Sequence, residues 1–343
     1  MNSETSVSEN SPSTTPQFRS VKWQERLQIE GWSSKIRSVQ AWLSYLKYRR
    51  SGSEATKESY CWILYRLCSC FNMDPDSILN LPPEKIRELM DEIINGMREE
   101  GKSLLYIRSH VDALNSFLKS NNYGELSKLN INLPRIPPRY HKRHEYIPTP
   151  EEALKMAECA KYLRDKVIIL LSSHSGLRLS TTLALRYKDV KDELEKGVEN
   201  LKIEVYPEMK EVVPNACKGG IPYYTFTIKR ATEYLRLYIE ERKRIYGGIE
   251  DNEPLFTTTY NQIDKSKRRW KPLSEKTVEE IVKEAARNAG LKQWMYVTLH
   301  SLRKTFQSFL RNQPENARLD IRDQEFLFGH ILAGSCLLYT SDA

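Results

Sequence analysis

Three short segments and one tyrosine concentrate the chemistry available to this chain. Gly176-Leu177-Arg178 comes first, His300-Ser301-Leu302-Arg303 follows, and Leu327-Phe328-Gly329-His330 precedes Tyr339. Arg178 and Arg303 each offer a planar fork of N–H donors whose charge persists at every relevant pH. Such forks suit a phosphorus centre whose oxygens gather negative charge as a phosphodiester breaks. Tyr339, nine residues after His330, adds an oxygen nucleophile. A phenol with a pKa of about 10 needs help to ionise, which nearby arginines and a histidine can give. Taken in order, the segments suggest cleavage of a DNA strand by a tyrosine.

The elements that hold these residues must come from a sizeable chain. Its 343 residues exceed the ~250–300 at which one core stops growing, so two domains are expected. Fifty-three Lys and Arg against 45 Asp and Glu give a net charge of +8, which favours polyanionic partners. Six cysteines, at 61, 68, 70, 159, 217 and 336, form no Cys-x-x-Cys and no zinc-like spacing with histidine. They read as free thiols suited to a reducing cytoplasm, and no metal or other cofactor is called for. The N-terminus lacks an apolar signal core, and no window approaches ~18 uninterrupted apolar residues, so neither secretion nor membrane spanning is expected.

Residues 1–20 offer almost nothing to bury and are expected to be a disordered tail. From 32 to 130 the pattern is helical, with Val39, Trp42, Leu43 and Leu46 at helical spacing and Leu104, Ile107, Val111, Leu114, Phe117 and Leu118 repeating it. Ser103 suits an N-cap. Residues 54–72 and Pro83–Met97 read as two further helices separated by a turn at Asp74-Pro75-Asp76-Ser77, giving a four-helix domain. A basic, proline-rich linker occupies 131–147, in which Arg139, Lys142 and Arg143 can run along phosphates. A second domain, 148–343, opens at Thr149-Pro150-Glu151-Glu152. Leu201–Val205 and Tyr223–Ile228 predict a small sheet with a turn near Lys218-Gly219-Gly220. Ser274 caps a helix over Glu275–Ala289 that Gly290 ends. The fold class is therefore mainly α with a small β-sheet.

His-Ser-Gly-Leu-Arg-Leu-Ser-Thr-Thr-Leu-Ala-Leu-Arg-Tyr-Lys-Asp-Val at 174–190 and Thr-Leu-His-Ser-Leu-Arg-Lys-Thr-Phe at 298–306 resemble the tyrosine recombinase (lambda integrase-like phage integrase) family, with Gly329-His330 in the matching order. The resemblance spans about residues 35–335. It implies a helical core-binding (SAM-like) domain and a mixed α/β catalytic domain that together clamp duplex DNA. It also implies a site-specific recombinase that cleaves and rejoins DNA through a 3′-phosphotyrosine, for integration or excision of a mobile or viral element. A homo-tetramer working through a Holliday junction on double-stranded DNA is the implied assembly, at the nucleoid or, for a viral protein, in the host cytoplasm. By the same resemblance His300 is a general acid or base or a phosphate ligand, His330 is a second donor, and a hairpin lysine protonates the leaving 5′-oxygen. Lys218 is the first choice, although the usual Gly-Lys-Gly form is absent and Lys229 or Lys210 can take its place. Thr181 stands where many members carry an acid, three residues beyond the first arginine, and can orient Arg178 through its hydroxyl. Lys47, Arg49 and Arg50, and Lys267, Arg268 and Arg269 beside Trp270, are further candidates for the DNA backbone. Chromosome-dimer resolution, a type IB topoisomerase and an inactive DNA-binding relative are the alternatives.

The last eight residues, Cys336-Leu337-Leu338-Tyr339-Thr340-Ser341-Asp342-Ala343, translate TGTCTCTTATACACATCTGACGCT, a string that looks like a transposon-end adapter from sequencing libraries. The expectation is that the native frame departs near Ser335 and supplies another tyrosine; with a native tail, Tyr339 is the nucleophile.

Overall fold

The computed structural model describes residues 31–49, 54–123, 145–259 and 264–330. The chain divides into two compact units, Met1–Lys142 and Arg143–Ala343. The tail at 1–20 and all but three residues of the 131–147 linker lie outside the described residues.

The first unit contains α1 (Arg37–Arg49), α2 (Glu54–Cys70), α3 (Pro75–Leu79), α4 (Pro83–Glu99) and α5 (Leu104–Ser120). Helical spacing lines up Val39, Trp42 and Leu46 on α1 and Ile107, Val111, Leu114 and Leu118 on α5, all of them buried. Trp42 anchors the core: its ring meets Phe117 edge-on at 5.4 Å, and its indole N–H donates to Ser116 Oγ at 3.0 Å. Ser103 caps α5 by accepting from Tyr106 N–H. Asp74-Pro75-Asp76-Ser77, expected as a turn, is instead a helix start. Asp74 accepts from Ser77 N–H and Pro75 occupies the first helical position, so a short helix replaces the simple reversal.

The second unit is built round α7 (Leu163–His174), whose run Val167–Leu171 is wholly buried. It is apolar on all sides because α6 (Pro150–Cys159), α10 (Lys229–Tyr246) and α13 (Leu299–Arg311) all pack on it. Thr149 and Glu152 close a capping box that starts α6. The remaining helices are α8 (Leu179–Ala184), α9 (Lys188–Glu195), α11 (Lys265–Arg268), α12 (Glu275–Asn288) and α14 (Ile321–Leu327). Strands β1 (Lys202–Val205) and β2 (Tyr223–Phe226) pair antiparallel, Lys202 opposite Phe226 and Val205 opposite Tyr223.

The turn expected near the glycines falls at Lys218–Gly220, inside a longer connection. Residues 206–222 join the strands through two 3-10 turns, Pro207–Glu211 and Lys218–Gly220, and Cys217 between them is left-handed at φ 43°. The molecule is thus mainly helical with a two-stranded sheet. Among the described residues no helix is long and apolar enough to cross a membrane. The five described cysteines are free thiols.

Candidate active site

Two glycines let the site form. After α7 the chain reverses at Gly176, φ +63°, where a Cβ would lie 2.6 Å from Phe306 and 2.9 Å from Phe328. Only glycine fits that backbone and that space. The reversal leaves Arg178 as the N-cap residue of α8. Gly329 repeats the device after α14: at φ +57° a Cβ would stand 2.4 Å from the Tyr223 ring. On α13, a capping box between Thr298 and Ser301 fixes the first turn, so that His300 is exposed while Arg303, one turn on, is buried.

Arg303 ties the turns together. Its Nη1 donates to the Gly176 carbonyl and its Nη2 to the Phe328 carbonyl at 2.7 Å, while the guanidinium lies 4.7 Å from the Phe328 ring centroid. Burial, reinforced by the like charge of Arg178, pushes Arg303 down to about 10, and it stays cationic at neutral pH. Arg178 is held far more loosely. Its Nη2 reaches the Gly329 carbonyl at 3.5 Å, and its Nη1 is buried without a partner. Thr181 does not orient it, because the buried Thr181 hydroxyl has no hydrogen-bond partner. One arginine is therefore a clasp and the other an open fork.

His330 completes the cluster. Its Nδ1–H donates to Glu325 Oε2 at 2.6 Å, and its Nε2 accepts from Arg303 Nη2 at 3.3 Å. Arginine has no lone pair to offer, so this pattern fixes the neutral tautomer with Nε2 as acceptor. Donation from Nε2 to a phosphate, the role expected from sequence, needs a second proton on the ring. Partial burial lowers the His330 pKa, as do Arg303 and Arg178, against the raising effect of Glu325. Glu325, nearly buried, also accepts from Arg311 Nη2 at 2.8 Å. Burial works to raise its pKa, but the bonds from His330 and Arg311 prevail and hold it low. His300 is lowered by desolvation first and then by Lys304, whose ammonium is paired with Glu145.

The lysines are not drawn in. Lys218 is exposed and makes no hydrogen bond or ion pair among the described residues. Lys229 is paired with Glu199. Burial raises the Cys217 thiol, while Lys210 and Arg178 both act to lower it, so Lys210 shares a neighbourhood with the open fork. Tyr339 lies outside the described residues, as do Arg50, Arg139, Lys142 and Arg143. No cluster of three or more His, Cys, Asp or Glu able to hold a metal occurs among the described residues.

A family model described as the phage integrase family matches residues 149–341. The chain belongs to that family. It is a tyrosine recombinase of the lambda integrase type, an enzyme of site-specific DNA recombination that breaks and rejoins strands through a tyrosine intermediate. It is similar to the tyrosine recombinase XerA of Pyrococcus horikoshii, 29% identical over 249 residues that cover 71% of this chain and 72% of the relative. Similarity to the XerC of Chlamydia pneumoniae is 23% over 331 residues, 89% and 94% of the two chains. Among solved structures, the Tn1549 transposon integrase with a circular intermediate DNA matches at a TM-score of 0.56 and 16% identity, covering 86% of this chain and 92% of that one. Lambda integrase bound to DNA matches at 0.52 and 16%, covering 88% and 91%. Both share the fold of this recombinase.

The surface residues expected to meet DNA divide in this recombinase. Lys47 and Arg49 end α1 exposed, and Lys267 is exposed on α11. Arg268 is half-buried. Arg269 is a correction: its guanidinium is taken up by the fully buried Glu253, which also binds Arg242 at 2.8 Å, and by Glu250. These pairs leave its side chain only 21% exposed. Sequence reasoning missed Glu325 and Arg311. Glu325 had one available signal, an acid five residues before His330 and so next to it across the end of α14; Arg311 had none.

Proposed function

We propose that this recombinase integrates or excises a mobile or viral DNA element, acting at specific double-stranded sites as a homo-tetramer that passes through a Holliday junction. The carrying observation is the open fork of Arg178 beside the clasped Arg303 and His330. A phosphate seated there would receive Arg178 Nη1, which is buried without a partner, together with the remaining donors of Arg303. The tyrosine oxygen attacks phosphorus, the bond to the 5′-oxygen breaks, and that oxygen takes a proton from a lysine of segment 206–222, Lys218 or Lys210. The products are a 3′-phosphotyrosine and a 5′-hydroxyl, which reverse the step on a new partner strand without ATP. Tyr339 is the nucleophile in the sequence as it stands, and the family match running to residue 341 supports a tyrosine in this region. Lys47, Arg49 and Lys267, exposed on short helical stretches, contact the DNA backbone. A lambda integrase tetramer on a Holliday junction is similar in fold at a TM-score of 0.52, which supports the assembly.

The test begins by sequencing the 3′ end of the gene from a library made without transposon adapters. The chain so defined is then incubated with nicked suicide duplexes carrying a randomised core, and denatured. The expected result is a covalent protein–DNA band whose DNA converges on one sequence and which disappears with Arg178→Ala. Relaxation of supercoiled plasmid without sequence convergence, or DNA binding with no band, would overturn the proposal in favour of a topoisomerase or an inactive relative.

A further inference from the structure

At the end of α7 opposite Gly176, the second unit holds a cavity of about 200 Å³. The corner between α6 and α7 lines it together with α12 and with Thr258, Thr259 and Leu273. Two buried charges face it. Arg164 and Asp165 are each 3% exposed, and Arg164 Nε donates to Asp165 Oδ1 at 2.7 Å. Arg164 is further committed, its Nη1 donating to the Thr257 carbonyl at 2.7 Å and its guanidinium lying 5.6 Å from the Tyr162 ring centroid. Asp165 is not, because its Oδ2 has no hydrogen-bond partner among the described residues. Burial raises its pKa against the opposing effect of Arg164, and Glu284 adds to the rise. A buried carboxylate in that condition is short of positive charge.

The rim adds more acid. Glu280 and Glu284 line the cavity from α12, both exposed, one turn apart and with no ion pair among the described residues. Like charges at that spacing repel. Lys161 is exposed and lies over the Tyr162 ring at 5.1 Å. Among the described residues of the lining, Asp165, Glu280 and Glu284 therefore outnumber Lys161 and Arg164, in a chain whose net charge is +8. The three acids do not converge on one point, since no group of three able to hold a metal ion occurs among the described residues. Leu273, Ile281 and Ala285 make part of the wall apolar. The space is small: at ~30 Å³ per water it equals about seven water molecules.

Separated carboxylates, an apolar wall and little room describe the complement of one ligand class. We propose that this cavity binds a small aliphatic diamine, with one ammonium on Asp165, the other on Glu280 and Glu284, and the alkyl chain against Leu273 and Ile281. Charge-assisted hydrogen bonds at the two ends hold the ligand, and burial of its methylenes adds to them. An anion meets the wrong sign here, and a monoamine satisfies one end only. The site lies apart from the phosphate cluster, so it goes beyond the recombination reading and does not rest on it.

The test is calorimetric titration of the full chain with 1,4-diaminobutane, without DNA, which would compete for the amine. The expected result is saturable one-to-one binding that also raises Tm. Glu280→Gln with Glu284→Gln should weaken it about 10- to 100-fold. Glu275→Gln with Glu279→Gln removes the same charge from the same helix outside the lining, and should change the affinity by less than about two-fold. Butylamine, with a single ammonium, should bind wild type about 10-fold or more weakly than the diamine. All four glutamates are exposed, and an unchanged Tm without ligand shows that each variant is folded. Binding that never saturates overturns the proposal, and so does equal weakening in the two double variants, which marks diffuse attraction to an acidic helix. Equal affinity for butylamine and the diamine overturns it on wild type alone.

Discussion

Gly329→Ala isolates the contact on which the third segment depends. At φ +57° an alanine pays a left-handed penalty of about 1 kcal/mol. Its Cβ would also stand 2.4, 2.5 and 3.0 Å from three atoms of the Tyr223 ring, which is only 4% exposed and cannot swing into solvent. Overpacking of that kind costs about 1–3 kcal/mol, so the single variant should lose about 2–4 kcal/mol. Tyr223→Ala opens space and costs about 3 kcal/mol through the cavity it leaves. In that background the added methyl group has room, and Gly329→Ala should cost only the dihedral part, about 1 kcal/mol. The double variant should therefore be less destabilised than the sum of the singles by about 1–3 kcal/mol. Urea-dependent hydrogen exchange, read on peptides from residues 163–174, measures the catalytic unit without interference from the helical one. Additivity within about 0.5 kcal/mol would refute the steric account and leave the backbone angle as the sole reason for glycine.

Two further outcomes separate chemistry from structure elsewhere. Arg178→Ala should cost less than about 1 kcal/mol, since it removes one long contact, yet it should abolish the covalent adduct. Arg303→Ala orphans the carbonyls of Gly176 and Phe328 at about 1–3 kcal/mol each, so a thermal scan should show a clear fall in Tm for this variant alone. In the helical unit His110 is 1% exposed, its Nδ1–H donates to the Tyr106 carbonyl at 2.9 Å, and burial pushes its pKa down to about 4. A lowered folded pKa gives stability that is complete above the unfolded value of about 6.5 and is lost as pH falls towards 4, here about 3 kcal/mol at most. Denaturant unfolding of that unit at pH 7 and pH 4.5 should show the loss, and His110→Phe should remove the dependence.

Local signals in the sequence were strong wherever one residue decides an outcome. Ser103, Thr149 and Ser274 each announce a helix start by a hydroxyl that accepts an N–H three residues on, and each does so in the structure. The buried stripe through Trp42 and Leu46 follows from spacing alone. The site was legible as a set of segments because Gly176 and Gly329 sit beside the residues they serve. What spacing cannot carry is which partner a side chain chooses. Arg269 looked like one more cation in a basic run, but Glu253, sixteen residues earlier, claims it. Arg178 and Arg303 looked equivalent, and only their partners in space make one a clasp and the other an open fork. The glycines marked a turn at Lys218–Gly220, but not the left-handed angles of Cys217 and Gly219 or the length of the path that holds it.

Arg303 reaches back 127 residues to one turn and forward 25 to the other. A nascent chain that has not yet produced residue 328, or a mature one opened at either turn, lacks the clasp that joins the two turns. On the phosphate site proposed above, competence to break DNA would therefore arise late in folding and vanish early in unfolding.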